Sequence, residues 1–533
     1  MTQSHSGNRG HSERRQVVAL LLPDLVDCAA DRDALRETLR TAPRETRLLV
    51  CIPESPAEPL LSAVADLDVD RQFLLGHEVE KVETGAFAVK APPGISRDNL
   101  IEFALALSDV ALVSARHENR QWARHAEKKL GKTLVAVGAP LHALSSEVLD
   151  VTSGLNPDGR GWLAWGRCAF GRLEQAVLEF LALFWWDGKN RRNRLWRSFW
   201  SGWRPVSYFP ACWQKSCPDE AAASKHSHLA KCFEAMDLSA LYGSYIHRDI
   251  TWAAHFGVAC AVLFAVLGYV SGDHFRFAVL EFLSLMFASS VIWVRLIRLQ
   301  ERWTACRLGA EQLRIAGMAL PLLVLPGALA TTDAKKVSDD NVDYEFWALA
   351  QVKRAVRQQG LPRVDYSSLP AVEAARWLKL IVADQIGYHE RNHQTLERAE
   401  VTLNIISTVI FCASLITVAL PLFVESLHDL AAVSPLLSPG SYLILSAAGP
   451  AFVAALHGAG MRLGFVHRAA LSHDMKKRLT EIAQSLDELI NSAASSKSAW
   501  QEVRALAYAA TDAMGAENTS WHGLVRRYRD ELP

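Results

Sequence analysis

The chain has 533 residues, enough for two or three domains, and its 57 Lys plus Arg balance 57 Asp plus Glu. That neutrality gives no electrostatic support to a nucleic-acid-binding protein. The hydrophobic fraction is 50% and the mean hydropathy is +0.06, which fits large water-facing parts around a few membrane spans.

Residues 1–15 (MTQSHSGNRGHSERR) are polar and rich in Gly and Ser, so a disordered tail without an apolar signal core is expected. Residues 16–150 read as an α/β domain. Short apolar runs at Gln16–Leu22, Arg47–Ile52, Arg71–Leu75, Val110–Ser114 and Thr133–Val137 predict strands. Helical spacing at Asp31–Arg40, Asp98–Leu107 and Glu118–Leu130 predicts helices between them. That alternation predicts a Rossmann-like parallel sheet with helices on both faces. Ligands of such sheets bind beyond the carboxyl ends of the strands. The polar residues there are Asp24, Glu54, His77, Ser114, Arg116 and Glu118, each also readable as a solvated loop residue. Neither GxGxxG nor GxxxxGK[ST] follows the first strand.

The stretch SDVALVSARHENRQWARHAEKKLGKTLVAV, Ser108–Val137, resembles the TIR, SLOG and deoxyribosyltransferase-like domains of bacterial defence proteins. Asp109 before the strand and Gly131–Lys132 before the last strand match the outline of that group. The resemblance implies a nucleotide-like ligand, with Asp109 beside the residues named above. It also implies an alternative, a nucleotide-cleaving enzyme of the NAD-hydrolase kind, with Glu118 as the catalytic carboxylate. The glycine-rich phosphate loop of the SLOG group is missing, as is the small-residue stretch that precedes the catalytic Glu in the cleaving enzymes.

Residues 151–230 form a linker dense in Trp, including Trp185, Trp186, Trp196, Trp200 and Trp203, with Arg and Lys interleaved. Indole rings and basic groups suit the lipid headgroup layer, so an interfacial segment is expected; a core helix with a basic loop is the competing reading. Cys212, Cys217, His226, His228 and Cys232 are soft ligands, but their spacing fits no standard zinc pair, and no metal site is expected.

Four apolar stretches follow as two pairs: 251–272, 277–294, 401–424 and 441–461. Each is close to the roughly 20 residues that cross a bilayer core of about 30 Å. The link after the third has no Lys or Arg, whereas RLIRLQER and RLGFVHR follow the second and fourth. The positive-inside rule therefore places both termini and the 295–400 segment in the cytoplasm of a multi-pass inner-membrane protein. Glu281, His255 and His457 are ionisable groups in or near these stretches, expected to face a bundle interior or water. Pro450 is expected to kink the fourth.

Around the spans stand RWTACRLGAEQLR, with Arg302, Trp303, Arg307, Glu311 and Arg314, then QIGYH, with Gln385, Tyr388 and His389, and a terminal Glu517 with Trp521. Arg307, Glu311 and Arg314 lie at i, i+4 and i+7 and can form an ion-pair ladder. These signatures, within residues 231–533, resemble the SLATT family of four-span membrane effectors in bacterial conflict systems. The resemblance implies a nucleotide-triggered, self-assembling effector of antiviral defence that permeabilises the inner membrane. The implied partners are the lipid bilayer, a small nucleotide-like ligand and further copies of the chain; no nucleic acid and no certain cofactor are implied. A membrane scaffold that binds a protein partner is a further alternative.

Overall fold

In a computed structural model, described residues are 17–21, 32–40, 46–52, 72–76, 87–92, 95–108, 110–113, 133–136, 217–219, 227–289, 299–329, 344–366, 368–423, 439–492 and 497–527. Six short strands form one parallel sheet: β1 Val17–Leu21, β2 Thr46–Ile52, β3 Gln72–Gly76, β4 Phe87–Lys90, β5 Val110–Val113 and β6 Thr133–Ala136, in the order β4-β3-β2-β1-β5-β6. Leu48–Cys51 of β2 and all of β5 are buried, as continuous apolar strands in a covered parallel sheet must be. Helices α1 (Arg32–Arg40) and α2 (Arg97–Leu107) are the helices described beside them. Ser96 caps α2 by accepting from the Asn99 N–H at 3.2 Å.

The fold class differs from the expected one. Helix dominates the described residues, and strands account for a small minority of them. The expected Rossmann-like domain needs helices on both faces of its sheet, and two short helices do not display that arrangement. The expected helix at Glu118–Leu130 and the linker expected at 151–230, apart from 217–219 and 227–230, lie outside the described residues. The physical reason is that apolar β-branched runs predict strands locally, whereas the class depends on how much helix packs around them, here supplied by the C-terminal half.

That half is built from α3 (His228–Ser271), α4 (His274–Ala288), α5 (Leu299–Ala319), α6 (Tyr344–Gln359), α7 (Ala371–Phe423), α8 (Pro439–Leu463), α9 (Phe465–Asn491) and α10 (Lys497–Arg527). Ser227 caps α3 through the Ala230 N–H at 3.0 Å. Gly272, with φ +73°, ends α3, and Asp273 caps α4 through the Arg276 N–H at 3.3 Å. One glycine and one aspartate thus reverse the chain between the two helices. Gly464, with φ +64°, separates α8 from α9, and Pro450 lies inside α8.

Helix α3 packs on α4, α5 and α8, and α7 packs on α8, α9 and α10. The main core includes Val50, Leu105 and Leu112 from the sheet and α2 and Leu313, Val352, Trp377, Leu378, Leu479 and Val503 from the C-terminal helices. A second, smaller core joins Trp252, Leu396, Leu403, Leu456, Ala459 and Phe465 from α3, α7, α8 and α9.

Beyond the smaller core the surface turns apolar. Val409, Phe411, Leu415 and Ile416 of α7 and Phe282, Leu283 and Met286 of α4 are exposed, Val409 by 62%, and α4 has no buried residue. Three helical segments, His228–Ser271, Ala371–Ala419 and Gly440–Asn491, are long and apolar enough to cross a membrane. The expected second span is described only as the 15 residues of α4, since 290–298 lie outside the described residues.

Helix α3 meets α5 with almost no gap. A Cβ on Gly243 would lie 2.4 Å from Trp303 Cβ, which is anchored to the backbone and cannot swing aside. Gly243→Ala should therefore cost about 1–3 kcal/mol of stability. Gly515→Ala in α10, with nothing within 4 Å of its new Cβ, should stabilise by about 0.5–1 kcal/mol. Thermal melting of both variants in detergent checks the pair, and equal shifts would contradict the close α3–α5 contact.

Candidate functional site

A polar cavity of about 290 Å³ lies where α3, α5, α7, α9 and α10 converge. Each helix contributes residues at helical spacing: Ala240, Ser244 and Arg248; Trp303, Arg307, Glu311 and Arg314; Tyr388, His389 and Asn392; Arg468 and Ser472; Met514, Glu517 and Asn518. A stripe at i, i+4 and i+8 keeps one face of a helix toward the same space, so five polar stripes can close around one volume.

Glu311 is the centre of the charge network. Its Oε1 lies 2.5 Å from Arg307 Nη2, and its Oε2 pairs with Arg314 Nη2. Arg307 Nη1 also donates to Asp237 Oδ1 at 3.3 Å, which ties α5 to α3. Burial opposes ionisation of Glu311, but Arg307 and then Arg314 outweigh it and hold the carboxyl below its ordinary value. Burial likewise opposes the Arg307 charge, and Glu311, Tyr388 and Asp237 restore it to above the ordinary value. The expected ladder of Arg307, Glu311 and Arg314 therefore exists, with Glu311 buried and the two arginines half-buried.

His389 and Glu517 behave differently. His389 is 1% exposed, and neither ring nitrogen has a hydrogen-bond partner. Its Nε2 stands 3.7 Å from Glu517 Oε2, too far for a hydrogen bond. Burial, then the Arg314 charge, push the imidazole down to about 4, against the pull of Glu311. Burial and the neighbouring Glu311 push Glu517 up to about 7, against Arg314 and Arg307. At neutral pH the imidazole is neutral and the Glu517 carboxyl is half ionised, so the close pair is not a salt bridge. Arg314 Nε and Asn518 Nδ2 are also buried without hydrogen-bond partners.

In the cavity wall Asn392 Nδ2 donates to Ser472 Oγ at 2.7 Å, and a His393 ring nitrogen meets the Ala469 carbonyl at 3.1 Å. These bonds hold α7 against α9. On the opposite wall, Trp303 lies 6.0 Å from the His247 ring, which fixes α5 against α3.

Of the residues singled out from sequence, Trp303, Arg307, Glu311, Arg314, Tyr388, His389 and Glu517 meet at this cavity. Arg302 does not: its Nε donates to Tyr344 OH at 3.2 Å on α6. Gln385 is buried one turn before His389 and does not line the space. The Trp521 side chain lies outside the described residues, as do Asp24, Glu54, His77, Asp109, Ser114, Arg116 and Glu118. Among the apolar stretches, Glu281 is half-buried, His255 reaches the Thr251 carbonyl at 2.8 Å, and His457 is exposed rather than turned inward. Among the described residues no group of three metal-binding side chains occurs. Cys212 and His226 lie outside the description, while Cys217 donates to the Asp219 carbonyl at 3.3 Å and burial holds the Cys232 thiol up at about 11.

Sequence reasoning missed Arg248, Arg468, Asn392 and Asn518. Arg248 and Arg468 stand beside apolar stretches, where a basic residue reads as a marker of orientation. No family model, curated protein or solved structure matches the chain.

The opposed shifts of His389 and Glu517 have a measurable consequence. Between about pH 4 and 6.5 the unfolded chain protonates His389 more than the folded one, so stability falls as pH drops. Between about pH 4.5 and 7 the folded chain holds a proton on Glu517 that the unfolded one releases, so stability falls as pH rises. The two slopes largely cancel in their overlap. His389→Gln should leave stability declining toward neutral pH, and Glu517→Gln should leave it rising, each by up to about 1.4 kcal/mol per pH unit. Melting midpoints against pH for both variants check this, and parallel profiles would contradict it.

Proposed function

We propose that the chain is a membrane-anchored effector in which a ligand acting at the cytoplasmic cavity triggers assembly and permeabilisation of the bilayer. One observation carries the reading: α3 and α7 each hold cavity residues in one part and a membrane-length apolar stretch in the next. Tyr388, His389 and Asn392 of α7 precede the exposed Val409–Ile416 surface in one continuous helix. Ser244 and Arg248 of α3 likewise precede its apolar part. At about 1.5 Å per residue, residues 401–419 cover nearly the whole bilayer core. A continuous helix cannot change its tilt at one end without moving the other, so the cavity and the apolar belt are mechanically joined.

The resemblance of RWTACRLGAEQLR, QIGYH and the terminal Glu517 region to SLATT effectors supports a role in bacterial defence under a nucleotide signal. Basic residues at Arg295, Arg298, Arg462 and Arg468, against a link at 425–440 with none, support cytoplasmic termini and an inner-membrane location. The exposed apolar surfaces of α4, α7 and α8 are the lipid contact and, in the assembled state, the contact between copies. A ligand drives that change only by binding the assembled state more tightly than the resting one.

Two tests apply. Val409→Asp places a charge in the lipid contact at a cost of about 2.5–3.5 kcal/mol to insertion. It should move a large fraction of the protein into carbonate-soluble fractions, whereas a water-facing surface would tolerate it within about 0.5 kcal/mol. Full-length protein in dye-loaded vesicles should also leak with a dependence on protein density steeper than linear, because mass action drives assembly. A protein firmly inserted yet never leaky would leave an anchor and remove the effector.

A further inference from the structure

Several buried polar atoms around the cavity lack a hydrogen bond; one of them, Glu311 Oε2, is held by the Arg314 charge. Arg314 Nε and Asn518 Nδ2 are donors, and neutral His389 offers one donor and one acceptor, all buried and without partners. Leaving such groups unsatisfied costs about 1–3 kcal/mol each, more where a charge is involved. The wall carries Arg248, Arg307, Arg314 and Arg468 beside Glu311 and Glu517, and Asp237 pairs Arg307 from outside it. Apolar filling would leave the donors of Arg314 and Asn518 unpaired. The complementary occupant is an anion with several acceptor oxygens, which a planar guanidinium fork matches well.

We propose that this cavity is a binding site for a phosphate-type oxyanion, with Arg314, Asn518 and His389 as the recognising groups. The volume of about 290 Å³ sits at the lower edge of small-ligand pockets, roughly 300–1,000 Å³. It suits a phosphate carried on a small organic body, a mononucleotide at most. Arg248 lies three residues before the expected start of the apolar part of α3, and Arg468 seven residues after the end of the fourth apolar stretch. The same chemistry can therefore reach the cavity from a free phosphate in the cytoplasm or from a lipid headgroup at the inner leaflet. The site deepens the effector reading by naming the ligand class, and it rests on that reading only for the consequence of binding, not for binding itself.

The experiment uses the full chain in phosphate-free detergent micelles, with calorimetry and thermal melting against inorganic phosphate, adenosine monophosphate and adenosine. Saturable binding of phosphate and of the monophosphate, but not of adenosine, is expected. Arg314→Gln should weaken that binding about tenfold or more, as loss of a charge-assisted hydrogen bond implies. Asn518→Leu removes the amide donor without touching the charge network and should weaken it measurably while keeping the melting profile, which guards against a misfolded Arg314 variant. Thr519→Ala, on the exposed face of α10, should bind as the parent does. Native mass spectrometry separates the two sources: a phosphatidylglycerol retained at one per chain and displaced by phosphate supports the headgroup. Equal binding of adenosine and its monophosphate, or no saturable binding of any phosphate, free or lipid, overturns the proposal. Vesicle leakage is not part of this readout, so a failure here leaves the effector reading standing, and a failure of leakage leaves the site standing.

Discussion

A carboxylate held between two guanidinium groups, out of water, is the constraint on which the helical half depends. Glu311 cannot be buried alone; an isolated charge in a protein interior costs several kcal/mol after relaxation. Arg307 and Arg314, one turn to either side on the same helix, make its burial possible, and Asp237 of α3 completes the pairing of Arg307. The arginines must in turn face neighbours that tolerate them, which requires polar residues from α3, α7, α9 and α10 at the same level. The convergence of five helices on one polar volume is thus a consequence of where the charges sit on α5.

The same arrangement explains why the smaller core and the apolar belt lie where they do. Trp252, Leu403, Leu456 and Phe465 pack just beyond the polar cavity, and past them the exposed surface becomes aliphatic and aromatic. A helix that is polar-faced at one end and apolar all round at the other has one comfortable orientation, with its ends in different solvents. α3 and α7 both have this character, and α9 follows α8 after a single left-handed glycine, Gly464. The chain therefore places one polar site next to several apolar helices, the arrangement that the proposed effector mechanism uses to turn a change of packing at the site into a change of tilt.

Parts of this were legible in the residues and parts were not. Hydropathy is a property of composition over about 20 residues, so the apolar stretches of α3, α7 and α8 could be read directly. The ion-pair ladder was legible because i, i+4 and i+7 share a face whatever surrounds them. Its burial was not, since that depends on partners some 70 residues or more away in sequence. Arg468 reads locally only as a basic flank of an apolar stretch and Asn518 carries no local signal; tertiary packing brings both to the cavity that Arg314 lines. The strands show the converse limit. β2 and β5 lie where their apolar runs place them, yet the expected Rossmann-like class did not follow, because a class is set by which helices cover a sheet. The residues proposed from strand ends, from Asp24 to Glu118, lie outside the described residues.

The most direct measurement of the buried network is a double-mutant cycle on its two ends, read as unfolding free energies of the full chain in micelles. Glu311→Gln strands the Arg314 guanidinium and leaves Arg307 with Asp237 alone, and should cost about 3–5 kcal/mol. Arg314→Gln leaves Glu311 with one partner, and the double variant should lose less than the sum of the singles by about 1–3 kcal/mol. Strictly additive losses, or a Glu311→Gln protein as stable as the parent, would mean that the helices converge for some other reason.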